Sequence, residues 1–236
     1  WGGEFTFANS LFESVSGFTT TGASILKDVE ALPKGMLFWR ASTHFIGGVG
    51  IILFVLLILP NKSGAQASLY RSEVSDLSMM NFKTRTKEIA NIIVTVYCSL
   101  IALETILLKV FGMDWFDAIC HSFATIATGG FSTKNLSIAY YDNVQIEIII
   151  EFFMLISSIH FGLIYATILG KKLNIFTSKI TLSYILVMAI GILLVTLQLS
   201  YEHVYDFGTS LRYASFQVIS LATATGFATV DTPNWP

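Results

Sequence analysis

Charge is scarce in this chain. Asp, Glu, Lys and Arg make up 13% of its 236 residues, about half the share of a soluble domain, so the sequence cannot clothe a large water-facing surface. Cysteine is scarcer still. Cys98 and Cys120 are the only two, which excludes a disulfide framework and fits no metal-ligand spacing. Basic runs interleaved with aromatics are missing and the formal net charge is −2, which argues against a nucleic-acid partner. No nucleophile–base pair, phosphate-cradling glycine loop or paired catalytic carboxylates occur, so neither an enzyme nor a cofactor binder is expected. The four histidines are scattered and lack Cys, Asp or Glu at ligand spacing, which argues against a transition-metal site. The sequence opens at Trp1 with no signal-peptide pattern, and a slice of a longer protein is expected.

What fills the chain instead is apolar. Hydrophobic residues make up 53% and the mean hydropathy is +0.66, the composition of an all-α integral membrane protein. Runs near the 20 residues a spanning helix needs occur at Phe45 to Leu59, extending an apolar stretch from Met36, and at Ile89 to Phe111. Two more are Val144 to Leu169, interrupted by Glu147, Glu151 and His160, and Ile180 to Leu199. Phe116 to Thr128 and Tyr213 to Thr225 are apolar but too short to cross, and fit re-entrant half-helices.

The short segments end in variations on one phrase: SVSGFTTTGAS at Ser14 to Ser24, SFATIATGGFST at Ser122 to Thr133, and VISLATATGFAT at Val218 to Thr229. Aligned on Thr21-Gly22, Thr128-Gly129 and Thr225-Gly226, the glycines lie 107 and 97 residues apart. That interval is too long for a solenoid and suits a unit of several helices around one loop. Eight of the 14 basic residues fall in two stretches, Asn61 to Glu88 and Gly170 to Lys179. The excess of Lys and Arg in cytoplasmic loops puts both links inside the cell. All three Thr-Gly loops then enter from the outer face, as a parallel repeat.

Irregular backbone at membrane depth is tolerated where protein buries it or water lines it. Glycine lets carbonyls turn toward a common axis, and threonine adds a hydroxyl oxygen. A ring of such oxygens can replace the hydration shell of a monovalent cation, and the inward-pointing C-terminal ends of the half-helices favour positive charge.

With those motifs the chain resembles the Trk/Ktr/HKT superfamily of potassium transporters. VSGFTTTGAS at Val15 to Ser24, FATIATGGFST at Phe123 to Thr133 and ATATGFAT at Ala222 to Thr229 carry the resemblance, with GGVGII at Gly47 to Ile52 and YRSE at Tyr70 to Glu73 in support. It implies a pseudo-fourfold repeat of helix, pore half-helix, filter loop and helix. Residues 1–60 would be the first unit without its outer helix, 61–88 a cytoplasmic link, 89–169 the complete second unit, 170–179 a second link, and 180–236 the third unit without its inner helix. It implies a multi-pass protein of the cytoplasmic membrane that takes up K⁺, with filter residues Thr20, Thr21, Gly22, Ala127, Thr128, Gly129, Ala224, Thr225 and Gly226. Gly22 in place of serine points to potassium over sodium. A homodimer and a cytosolic nucleotide-binding regulatory ring are implied partners. Three filters are present where four are needed, so a fragment is expected. The gating loop of the third inner helix and the basic residue of the fourth have no counterpart in this sequence.

Several ionisable residues fall inside or beside the spans. His44 in STHFIGG and His160 in SSIHFGL are candidates for pore lining or gating, with hydrogen bonding inside the bundle as the commoner role. His121 in the second half-helix fits packing or hydrogen bonding. Glu104 is a candidate proton relay or, more simply, the partner of another helix. Glu147 and Glu151 fit solvated headgroup contacts, and Arg40 fits a snorkelling cation. Asp28, Glu30, Asp114, Asp117, Asp206 and Asp231 give the outer loops an acidic bias. Asn135-Leu136-Ser137 has the form of a glycosylation triplet, and GGVG at Gly47 that of a packing or hinge motif. Two other functions remain open: a sodium- or proton-coupled symporter using Glu104 or His160, and a non-transporting scaffold in which Thr-Gly segments only pack helices. Replacing Gly129 with serine in the full-length protein is expected to degrade potassium-over-sodium selectivity in flux measurements; unchanged uptake would count heavily against a filter at that position.

Overall fold

In a computed structural model, residues 6–58, 76–170, 175–232 and 235–236 are described, with only the backbone course given for 51–58 and 76–89. Among them the chain is helical throughout. The elements are α1 Phe7–Phe18, α2 Lys34–Ile58, α3 Asp76–Val110, α4 Trp115–Ile126, a 3-10 turn Ser137–Tyr141, α5 Val144–Ser157, α6 Phe161–Ile168, α7 Lys179–Tyr201 and α8 Phe207–Ala222. The YRSE motif, Lys62, Lys171 and Lys172 lie outside the described residues, as does most of the first link.

Length separates two kinds of helix. Ala90–Val110 within α3 and Lys179–Tyr201 are long and apolar enough to cross a membrane. In α7 the apolar residues point every way, and Val187 and Leu194 stay more than 60% exposed; a helix that is hydrophobic all round is solvated by lipid. By contrast, α1 and α4 have 12 residues each and α8 has 16, too few to span. Each of these short helices starts at a polar cap whose side-chain oxygen accepts a backbone N–H: Thr6 from Asn9, Asp114 from Phe116 and Asp206 from Gly208 and Thr209. Such caps satisfy donors that lipid could not.

The expected single span from Val144 to Leu169 is broken. α5 and α6 meet at 102° across Ser158–His160. The cause is local: His160 Nδ1 accepts the Gly162 N–H at 3.0 Å and starts a new helix. His160 is therefore a helix cap, not a mid-helix histidine.

Packing places the short helices centrally. α4 lies against α2, α3 and α5, α1 against α2, and α8 against α5 and α7. One core cluster joins Leu108, Ile150, Phe216 and Phe227, and a second joins Tyr97, Ile126, Phe153 and Phe161. Small residues allow the closest approaches. A methyl at Gly47 would overlap the Phe18 carbonyl, and one at Gly17 would overlap the Thr43 hydroxyl, so α1 and α2 meet backbone to backbone. GGVG is a packing motif here.

Since lipid is as apolar as leucine, helices in a membrane associate through packing and polar pairs, and Glu13, Arg40 and Glu147 are buried charges set in such pairs. Arg40 is 3% exposed and sits 3.4 Å from Glu13, with its guanidinium 4.0 Å from the Phe131 ring centroid. It does not snorkel. Glu147 is 2% exposed and accepts two hydrogen bonds from Arg212 of α8, at 2.7 and 2.8 Å; headgroup contact is excluded because the carboxylate faces the bundle. Glu151 accepts from the Ser215 hydroxyl at 2.8 Å. Arg212→Ala strands a buried carboxylate and is expected to cost about 2–3 kcal/mol of stability, measured as a lower thermal midpoint in detergent; an unchanged midpoint would show that the pair adds nothing to the α5–α8 contact.

Candidate functional site

The half-helices α1, α4 and α8 end at Thr19, Ala127 and Thr223, each with right-handed helical backbone. The next residues, Thr20, Thr128 and Ala224, turn left-handed with φ of 56°, 51° and 58°. Two of these are β-branched, for which positive φ is a strained conformation costing on the order of 1–3 kcal/mol. Two residues further on, Gly22, Gly130 and Gly226 have φ of 75°, 74° and 84°, a region glycine enters freely. Strain repeated at the same place in three loops is held there by its surroundings.

This backbone shifts the alignment of the second loop by one residue. Gly130, not Gly129, stands where Gly22 and Gly226 stand, and Gly129 corresponds to Thr21 and Thr225. The hydrogen bonds agree: Thr21, Gly129 and Thr225 donate N–H groups to Ser16, Ala124 and Ser220. So do the serines after the turn. Ser24 and Ser132 each accept the N–H two residues on, from Leu26 and Lys134. Alignment on the dipeptide Thr-Gly missed this because ATGG offers two glycines; the constant glycine-x-serine spacing in Gly22–Ser24 and Gly130–Ser132 carries the register.

The reason for a glycine at 129 is His44. A Cβ there would run into the imidazole of His44, which is fully buried and stacked on Phe131 at 4.1 Å between centroids. In the other two loops a threonine takes the place, and its hydroxyl pairs with the threonine at the helix end: Thr19 with Thr21 and Thr223 with Thr225, both at 2.8 Å. His44 is fully buried and its ring nitrogens have no hydrogen-bond partner among the described residues; it is a spacer behind the second loop.

The loops adjoin in a repeating way. A methyl on Gly22 would overlap the carbonyl oxygen of Gly129, and a methyl on Gly130 would overlap that of Thr225. Because Gly129 and Thr225 hold equivalent places, loop one meets loop two as loop two meets loop three. At the two ends, no described atom lies within 4 Å of a Cβ on Gly226, and Thr21 is exposed. Not every loop oxygen is free. The Ala23 and Phe227 carbonyls accept from Ser16 and Ser220 at 2.6 and 2.7 Å and turn back onto their own half-helices.

Around this centre the other candidates divide. Glu104 is completely buried beside Thr125, yet among the described residues neither carboxyl oxygen has a hydrogen-bond partner; the Thr125 hydroxyl donates to the His121 carbonyl instead. Among the described residues it forms no pair with another helix. Asn135 ties together the segments that follow the first and second loops, donating to Asp28 at 2.8 Å and accepting the Val29 N–H at 2.7 Å. That amide holds the Asp28 carboxyl below its usual range. Asp117 is buried, bonded by Thr133 and Tyr141 and 3.4 Å from Lys134.

Residues 2–236 match the family model named TrkH and described as a cation transport protein. The Trk system potassium uptake protein TrkH of Escherichia coli K12 is 38% identical over 234 residues, 98% of this chain and 48% of that protein. TrkH of Halomonas elongata, likewise described as a Trk system potassium uptake protein, is 34% identical over 230 residues, 97% and 48% of the two chains. The crystal structure of the potassium transporter TrkH from Vibrio parahaemolyticus superimposes with a TM-score of 0.84 at 31% identity, covering 98% of this chain and 47% of that one. The chain thus spans about half the length of the curated relatives it matches.

The His44–Gly129 contact is testable by a double-mutant cycle. Gly129→Ala alone is expected to destabilise, and His44→Ala to remove most of that penalty, with a coupling of about 1–3 kcal/mol read from thermal midpoints. Additive effects would mean that the imidazole does not set the size of residue 129.

Proposed function

The chain belongs to the TrkH family of cation transport proteins, a family of transporters and not of enzymes, and on that premise we propose that it forms most of a potassium-selective filter in a membrane uptake protein. The observation that carries this is the repeated contact between the loops, with Gly22 against Gly129 and Gly130 against Thr225, built on the repeated left-handed backbone; a rotation about a common axis would produce it. In the corrected register the filter positions are Thr20, Thr128 and Ala224; Thr21, Gly129 and Thr225; and Gly22, Gly130 and Gly226. Ala127 belongs to the helix end that precedes them. Carbonyl oxygens in such a ring stand in for the water shell of a dehydrated K⁺. The exposed edge of loop one and the open flank of Gly226 are the surfaces against which a fourth loop closes the ring.

The remaining features follow the same proposal. The units run 1–60, 89–169 and 180–236, with basic links 61–88 and 170–179 on the cytoplasmic side and the loops on the outer side of the inner membrane. A second copy of the subunit pairs with it, and a nucleotide-binding ring docks at the cytosolic links. One observation favours the coupled reading: Glu104 is a buried carboxyl with no hydrogen-bond partner among the described residues, as a proton-carrying group would be. His160, engaged as a helix cap, lends it no support.

Flux through the full-length protein in proteoliposomes separates these readings. We expect K⁺ uptake that follows the potassium gradient, ignores imposed sodium and proton gradients, and loses potassium-over-sodium preference by about tenfold in Gly130→Ser. Uptake that requires an inward sodium or proton gradient would establish symport instead. No K⁺ flux and no rescue of an uptake-deficient cell would leave only a scaffold.

A further inference from the structure

Three polar residues of different chemistry occupy one equivalent place in the three half-helices. Glu13, His121 and Gln217 each lie nine residues before the glycine of their own loop. All three are buried, at 1%, 0% and 6% exposure. Each reaches the limb of chain that returns from its loop. Glu13 Oε1 accepts from the Ser24 hydroxyl and the Ile25 N–H, both at 2.7 Å. His121 Nδ1 lies 2.7 Å from the Asp117 carbonyl oxygen, so it carries the proton, and Nε2 is left to accept from the Ser132 hydroxyl at 2.9 Å. Gln217 donates from its amide nitrogen to the Val230 carbonyl at 3.1 Å.

We propose that Glu13, His121 and Gln217 are one set of positioning residues that clamp the returning limbs of the loops and thereby set ion selectivity. This rests on the filter reading above. None of the three belongs to the filter positions; each acts through Ser24, Ser132 or Val230. The clamp is needed because the limb after each glycine leaves regular structure at membrane depth, where a loose backbone finds no water to bond. A carbonyl ring discriminates K⁺ from Na⁺ only while its oxygens hold their spacing and number. The first two clamps are also joined: Arg40 donates to Glu13 Oε2, to the Ser24 hydroxyl and to the Ser132 carbonyl, at 3.4, 3.2 and 3.4 Å. Loops one and two therefore share a continuous polar frame behind them. Packing alone does not account for the set, since an acid, an imidazole and an amide differ in shape and agree only in reaching the same limb.

The test uses the full-length protein in proteoliposomes, reading the K⁺/Na⁺ flux ratio beside thermal stability. Glu13→Ala, His121→Ala and Gln217→Ala are expected to lower the ratio about tenfold, equivalent to roughly 1.4 kcal/mol. Glu13→Gln and His121→Gln, which install the amide that the third position already uses, should stay within about threefold of wild type. Ser24→Ala and Ser132→Ala remove the partner hydroxyls with little change in volume, and should shift the ratio the same way even where an alanine variant at the clamp fails to fold. Wild-type ratios in Ser24→Ala, Ser132→Ala and the folded clamp variants overturn the proposal. Gly130→Ser run in parallel tells which inference failed: if it lowers the ratio while these variants do not, the clamp is wrong and the filter stands, and if it too has no effect, the filter itself is wrong.

Discussion

Backbone pressed against backbone is the constraint on which this structure depends. Where loop one meets loop two, and loop two meets loop three, a glycine stands against a carbonyl oxygen with no room for a methyl group. Such proximity requires glycine at 22 and 130, and it requires the loops to leave their half-helices at the same angle. The left-handed residue before each, threonine at 20 and 128 and alanine at 224, supplies that angle at a cost in strain. The energy to hold it comes from around the loops: serine hydroxyls on the carbonyls of Ala23 and Phe227, threonine pairs in loops one and three, and the stacked His44 and Phe131 beneath loop two.

Around these loops the rest of the bundle sets charge against charge. Each half-helix carries an ion pair to a neighbouring segment: Glu13 with Arg40, Asp117 with Lys134, and Arg212 with Glu147. In lipid, apolar surface alone does not draw helices together, so these pairs say which faces meet. The most buried of them, Glu13 and Arg40, lies directly behind the first two loops. The spanning helix α7, by contrast, presents apolar side chains all round and contributes lipid-facing surface.

Much of the architecture was legible in residue order. Apolar runs of spanning length and shorter ones ending in Thr-Gly separated α3 and α7 from the half-helices α4 and α8, because lipid imposes a length on any helix that crosses it. The irregular backbone of the loops was legible too, since a Thr-Gly pair signals a departure from the helix within a few residues. The bend at His160 was not, because an apolar stretch hides a histidine that caps a new helix. Arg40 and Glu147 were misread as lipid-facing for a related reason. An isolated charge near a helix end looks the same whether it faces headgroups or a partner, and the partners lie 27 and 65 residues away.

By itself the sequence determined that the chain is a helical membrane protein and that three short segments end in glycine- and threonine-bearing loops. These are consequences of composition and of backbone preferences acting over a few residues. Tertiary structure alone decided the register, placing Gly130 rather than Gly129 level with Gly22 and Gly226, because the choice between two adjacent glycines is made by the His44 ring on another helix. It also decided that Glu13, His121 and Gln217 share one role. Their side chains have nothing in common in a sequence, and become equivalent only once three helices are superposed by the loops they support.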